Sequence, residues 1–170
     1  CQREYVDGAV PVPGMAAAVE RARRLLVRAR ELALPIFHIA HRGAPGSRVF
    51  DPEGPYCEIV PEVAPLAGEA VLHKATPNAF AGTDLGDRLT ATARRQAVFA
   101  GFMTHNCVSA SVRGAFDLGY LCAVAADAVA TRDLPDGRGG VIAADLLHRA
   151  ELAGLADRVA TVVENVDEFT

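Results

Sequence analysis

Lysine is almost absent from this sequence. Of 17 cationic side chains in 170 residues, only Lys74 is a lysine and the other sixteen are arginines. A background that uses arginine wherever a generic cation suffices marks the lone lysine as a place needing a compact ammonium. No apolar run approaches the ~20 residues of a membrane-spanning helix, and no signal-peptide pattern opens the chain. Positive charge is not in excess either. The formal net charge is −4, which argues against nucleic acid or an anionic membrane as the main partner. The cysteines Cys1, Cys57, Cys107 and Cys122 form no C-x-x-C, and no histidine pair has zinc-finger spacing, which argues against a structural zinc site. The dinucleotide fingerprint G-x-G-x-x-G, the Walker A motif and the G-x-S-x-G elbow are all missing.

What is present describes a folded domain. Apolar residues make up 51% and charged residues 22%, and 170 residues suit one domain with an ample core. Such a core has little need of disulfides, so the thiols read as reduced and the chain as a soluble cytoplasmic protein. Gly14 precedes a helical pattern through Ala33, with Val19, Ala22, Leu25, Leu26 and Ala29 opposite Arg21, Arg24 and Arg28. Ile36–Ala40 reads as a buried strand, and Gly/Pro-rich sequence over 42–68 as a long functional loop. Ala70–His73 is a short strand running into Lys74. A helix is expected from Thr83 or Asp84 to Ala93, then a strand over Ala97–Ala100. An amphipathic helix follows, stopping at Gly119. Leu121–Ala126 predicts a strand ending at Asp127, Arg138–Leu155 a helix, and Val159–Val163 a last strand. Alternating helices and continuous apolar strands predict a parallel sheet covered on both faces, within one domain over 1–170.

In such a sheet the site lies at the carboxyl ends of the strands. That rule selects His41, Lys74, the segment from Gly101 to Cys107, and Asp127. Cys107 follows a strand-to-helix turn and is expected in the first turn of the next helix. Amides and dipole there favour a thiolate, and their N–H groups can receive an oxyanion. A buried structural thiol is the competing reading of a lone cysteine. Lys74 at the same sheet edge reverses that preference.

Lys74 with Asn78-Ala79-Phe80-Ala81-Gly82-Thr83-Asp84-Leu85, the run Gly101-Phe102-Met103-Thr104-His105-Asn106-Cys107-Val108, Gly119 and Asp127-Ala128 together resemble the isochorismatase-like cysteine hydrolases. The opening Gln2-Arg3-Glu4-Tyr5 is similar to that family's D-x-Q-x-x-F/Y start. The resemblance covers essentially the whole chain and implies a three-layer α/β/α, Rossmann-like fold with about six parallel strands. It implies an Asp-Lys-Cys triad in which Lys74 and Cys107 are the last two members. The Asp and the family's central first strand are expected upstream of Cys1, so the sequence reads as cut short at its N-terminus.

The resemblance further implies cysteine-dependent hydrolysis of a small non-peptide amide through a thioester. The backbone N–H groups of Met103 and Cys107 form the oxyanion hole, and the Phe102–Met103 peptide is cis. Gln2, Tyr5, His41, Phe80 and Thr104 are the pocket candidates. His41-Arg42-Gly43 lacks the D-x-H pattern of the metal-dependent members, so no metal or cofactor is expected. The expected partners are a small-molecule substrate and further copies of the chain in a homo-oligomer. Two rival readings are vinyl-ether hydrolysis on the same fold and a non-catalytic binding or assembly protein.

Lys74 is reached by composition and by resemblance separately, and it yields the first prediction. A planar guanidinium does not fit where a compact ammonium bridges a thiolate and a carboxylate. Lys74→Arg should retain the fold and lower kcat/KM by about 100-fold, a loss of ~2.7 kcal/mol in transition-state stabilisation. Arg28→Lys on the first helix is the control. Near-normal turnover by Lys74→Arg would make Lys74 a plain surface cation.

Overall fold

The computed structural model describes residues 1–169. Its first long element follows from the sequence pattern. Helix α1 (Met15–Glu31) starts after Gly14, which takes φ 71°, and buries Ala18, Val19, Ala22 and Leu26. Two strands follow, β1 (Phe37–His41) and β2 (Ala70–Lys74), paired in parallel from Phe37↔Ala70 to His41↔Lys74. This register alone sets His41 beside Lys74 at the carboxyl end of the pair.

A second parallel group has β3 (Gln96–Phe102), β4 (Leu121–Ala130) and β7 (Ala160–Val163) in the order β3-β4-β7. Helix α2 (Leu85–Ala91) lies over β1 and β2, with Leu85 packed on Leu72. Helices α3 (Ser109–Asp117) and α4 (Ala144–Ala156) cover β4, where Val112 and Leu155 meet Val124 and Ala126. Phe80 packs against both of these clusters, so α2, α3 and α4 form one layer. Helix α1 covers the opposite face, with Val19 and Ala22 in one cluster with Ala125 and Ala128 of β4. The result is a three-layer α/β/α domain.

The structure corrects the sequence reading in four places. First, β4 runs through Asp127 to Ala130, because its pairing slips: Phe99 lies opposite Val124, but Gly101 lies opposite Val129. Asp127 therefore sits inside a strand, where it accepts from the Val166 N–H and faces Arg21 at 3.5 Å. Second, the helix expected from Arg138 begins only at Ala144, because residues 138–142 belong to a ribbon in which β5 (Leu134–Pro135) pairs with β6 (Val141–Ile142). Asp136 accepts from the N–H groups of Arg138 and Gly140, and Gly137 and Gly139 take positive φ, which closes a tight turn in place of a helix. Third, the parallel strands form two groups that are not hydrogen-bonded to each other. Cys1 and Gln2 lie between the groups at their carboxyl ends. Gln2 bonds the main chain of His41, and a Cβ built on Gly101 would lie 3.9 Å from both the nitrogen and the Sγ of Cys1. Fourth, the strands are not buried throughout. Val71 is 40% exposed and Val98 48% exposed, since β2 and β3 each end a group.

Below β1, Glu69 accepts from two Arg30 nitrogens, Nε and Nη2, at 2.7 and 2.9 Å, and bonds the His38 ring at 2.8 Å and the Leu66 N–H. The Arg30 guanidinium is the chief cause that holds the Glu69 carboxyl down at about 2. A carboxylate depressed on folding stabilises above its ordinary value near 4.5, and the benefit is lost as pH falls towards 2. Glu69→Gln should therefore destabilise the fold near neutrality, by roughly 1 kcal/mol once solvent screening is allowed for. Urea melts should show the gap from wild type closing below about pH 4.5. A gap that stays constant down to about pH 2 would remove the ion pair from the account.

Candidate active site

Each element contributes its carboxyl end. Lys74 closes β2 and is 6% exposed, so its ammonium must find partners within the protein. Nζ lies 2.8 Å from the Thr76 carbonyl oxygen, 3.2 Å from Cys107 Sγ and 3.3 Å from His41 Nδ1. An ammonium carries three hydrogens, and three acceptors stand around this one.

Cys107 is placed differently from the expected first helical turn. It lies in a π-helical turn over Thr104–Val108 that precedes α3. The Met103 carbonyl accepts from Asn106 N at 3.1 Å and from Val108 N at 3.2 Å, a pattern that passes over the Cys107 N–H. Wide turns of this kind occur often at functional sites. The Phe102–Met103 peptide is cis. Ser111 ties this turn to the lysine loop. Its hydroxyl bonds the Cys107 carbonyl at 2.7 Å and accepts from Ala79 N at 3.0 Å.

The pocket candidates separate. Tyr5 is buried edge-on to Phe50 and Phe102, with ring centroids at 5.4 and 5.8 Å. Burial first and the neighbouring Cys107 second push its phenol up. Gln2 is a clamp on the end of β1, accepting from His41 N at 2.7 Å and donating to His41 O at 2.9 Å and Cys57 O at 2.5 Å. Phe80 is wedged in the helical layer. Thr104 corrects its expectation: it is fully buried and bonds His148 Nδ1 of α4 at 3.0 Å, so its hydroxyl joins two elements and does not line an open pocket. His105 bonds Thr131 in the same layer, and burial chiefly holds its ring below the ordinary range.

The sequence reading missed three groups. The Thr76 carbonyl holds Lys74, Phe50 stacks on His41 at 4.8 Å, and Ser111 spans the two loops. Pro77 was a usable signal for a chain break beside Lys74. Nothing periodic in 42–68 announces Phe50. Among the described residues no group of three or more His, Cys, Asp or Glu is arranged to hold a metal. None of the described helices is long and apolar enough to cross a membrane.

The isochorismatase-domain family model matches residues 1–166. The chain belongs to the isochorismatase family. Among its relatives, the secreted isochorismatase effector Isc1 of Verticillium dahliae is 36% identical over 98% of this chain and 85% of its own length. A streptothricin hydrolase of Streptomyces noursei is 34% identical over 95% of this chain and 59% of its own. The maleamate amidohydrolase of Pseudomonas putida is 32% identical over 71% and 63%. The crystal structure of an isochorismatase from Pseudomonas putida superimposes with a TM-score of 0.93 at 42% identity, covering 98% of this chain and 84% of that one. Family membership therefore rests on sequence and fold together, and the relatives named include an amidohydrolase.

All four thiols of this isochorismatase-family chain are free. Burial pushes Cys57 up and Cys122 up to about 11, which suppresses both as nucleophiles at neutral pH. With sub-stoichiometric iodoacetamide at about pH 7, peptide mapping should show Cys107 modified at least ~10-fold faster than Cys57 or Cys122, and ahead of Cys1. Preferential labelling of a buried thiol would contradict the assignment of the nucleophile.

Proposed function

We propose that the chain is a cysteine-dependent hydrolase of a small non-peptide amide, working through a thioester. The observation that carries this reading is the 3.2 Å contact between Lys74 Nζ and Cys107 Sγ at the carboxyl edge of the sheet. The ammonium favours the thiolate, which attacks the carbonyl carbon, and the N–H groups of Met103 and Cys107 receive the oxyanion. A carboxylate takes the thiol proton and returns it to the leaving nitrogen as the C–N bond breaks. Water then attacks the thioester, releases the acid and restores the thiol. By resemblance the carboxylate belongs to an Asp immediately before Cys1.

The proposed setting is the cytoplasm, where free thiols persist. The exposed Phe116, Leu118 and Leu121 support a homo-oligomer. Vinyl-ether hydrolysis requires protonation of carbon, with no attack by sulfur. Cys107→Ala should lower amide hydrolysis by about 10³-fold or more, with the fold retained by circular dichroism. Substrate turnover that survives Cys107→Ala would favour the vinyl-ether reading. A wild-type chain that hydrolyses no member of a small-amide panel, and whose Cys107 is unreactive, would favour a binding protein.

A further inference from the structure

The turn that carries the nucleophile is held by a helix that the proposed chemistry does not use. We infer that α4 is a splint for this turn: His148 and Glu151 are positioning residues that fix Thr104 and Ser109 at its two ends, and thereby hold the Met103 and Cys107 N–H groups where an oxyanion forms. This rests on the hydrolase reading above and adds two residues of α4 to the groups on which acylation depends.

The π-helical turn has few bonds of its own. Over Thr104–Val108 the Met103 carbonyl takes the Asn106 and Val108 N–H groups but not that of Cys107. Further support comes from side chains. At the start of the turn, Thr104 is fully buried and its hydroxyl bonds His148 Nδ1 at 3.0 Å, across 44 residues. One residue past the end of the turn, the buried Ser109 hydroxyl donates to the Glu151 carboxylate. Arg113 secures this second anchor, with Nε 3.3 Å from the Ser109 oxygen and Nη2 3.5 Å from Glu151.

His148 and Glu151 are three residues apart and so share one face of α4. The same helix buries Leu152 and Leu155 in one cluster with Val108 and Val112. One rigid element therefore meets the turn at both ends, with Cys107 between the two anchors. Thr104 directly follows Met103, so releasing it frees the Met103 side of the oxyanion site. N–H donors act on an oxyanion from about 2.7–3.1 Å, and a misplacement of ~1 Å costs about 100-fold. Attack of sulfur on an alkyl carbon develops no oxyanion, so alkylation of Cys107 does not need the splint. That difference separates a positioning role from a merely structural one.

Two probes make the test. p-Nitrophenyl acetate acylates the Cys107 thiolate through an oxyanion and releases p-nitrophenolate, whereas iodoacetamide alkylates it without one. Both rates are measured on the full chain at about pH 7, with Cys107→Ala as the blank and folding checked by circular dichroism. Thr104→Val and His148→Leu should slow acylation by roughly tenfold to 100-fold, with alkylation within about twofold of wild type. Thr104→Ser and His148→Asn, which restore a hydroxyl and a nitrogen, should recover most of the loss. Combining Thr104→Val with His148→Leu should be no slower than the slower single variant, since both act through one bond. Glu151→Ala, at the half-buried anchor, should show the same split more weakly, and it decides the matter if the Thr104 and His148 variants do not fold. Unchanged acylation in the folded variants, or acylation and alkylation falling together, overturns the inference. If wild-type Cys107 is alkylated but never acylated, the hydrolase reading fails and takes this inference with it.

Discussion

A buried ammonium tolerates few arrangements. Lys74 is withdrawn from water, and an unpartnered cation there would cost several kcal/mol, so its hydrogens must all be taken up by the protein. The three acceptors come from three separate places: the loop just after β2, the end of β1, and the turn after β3. Satisfying one side chain therefore constrains the β1–β2 register, the position of β3 relative to that pair, and the path of the turn that carries Cys107. Much of the local architecture serves this requirement.

The first five residues make the connection between the two strand groups. Gln2 supplies an amide that β1 lacks on its free side, and Cys1 lies beside Gly101 of β3. Glu4 is buried with both oxygens engaged, one by Ala9 N and one by Phe50 N, so it fixes the part of the long loop that reaches His41. Tyr5 fills the space between Phe50 and Phe102, which joins that loop to the strand leading into the nucleophile.

The turn from Met103 to Val108 shows a similar economy of parts. The Met103 carbonyl takes the Asn106 and Val108 N–H groups but not that of Cys107, and the carbonyl of Cys107 is held by Ser111. On the far side, Thr104 with His148 fastens the turn to α4. Cys107 and Lys74 are thus each braced by neighbouring groups, as a preorganised site requires.

The elements with strong periodicity were legible from the chain: α1 from its 3–4 spacing, and β1, β2 and β3 from their apolar runs. Lys74 stood out by composition, and Cys107 by its place after a strand. These are local properties, carried by neighbouring residues. Residues 138–142 and the extension of β4 past Asp127 were misread, because an aspartate-capped glycine turn and a slipped register depend on partners that periodicity does not report. Likewise, nothing in the sequence tells that Thr104 turns inward to His148, that Phe50 reaches the ring of His41, or that Gln2 grips His41 across 39 residues. The sequence by itself picked out Lys74 and Cys107 as candidates and most of the segments that form helix and strand. Only the tertiary structure decided what surrounds the ammonium, because hydrogen-bond partners are selected by distance in space, and the folded chain sets that distance.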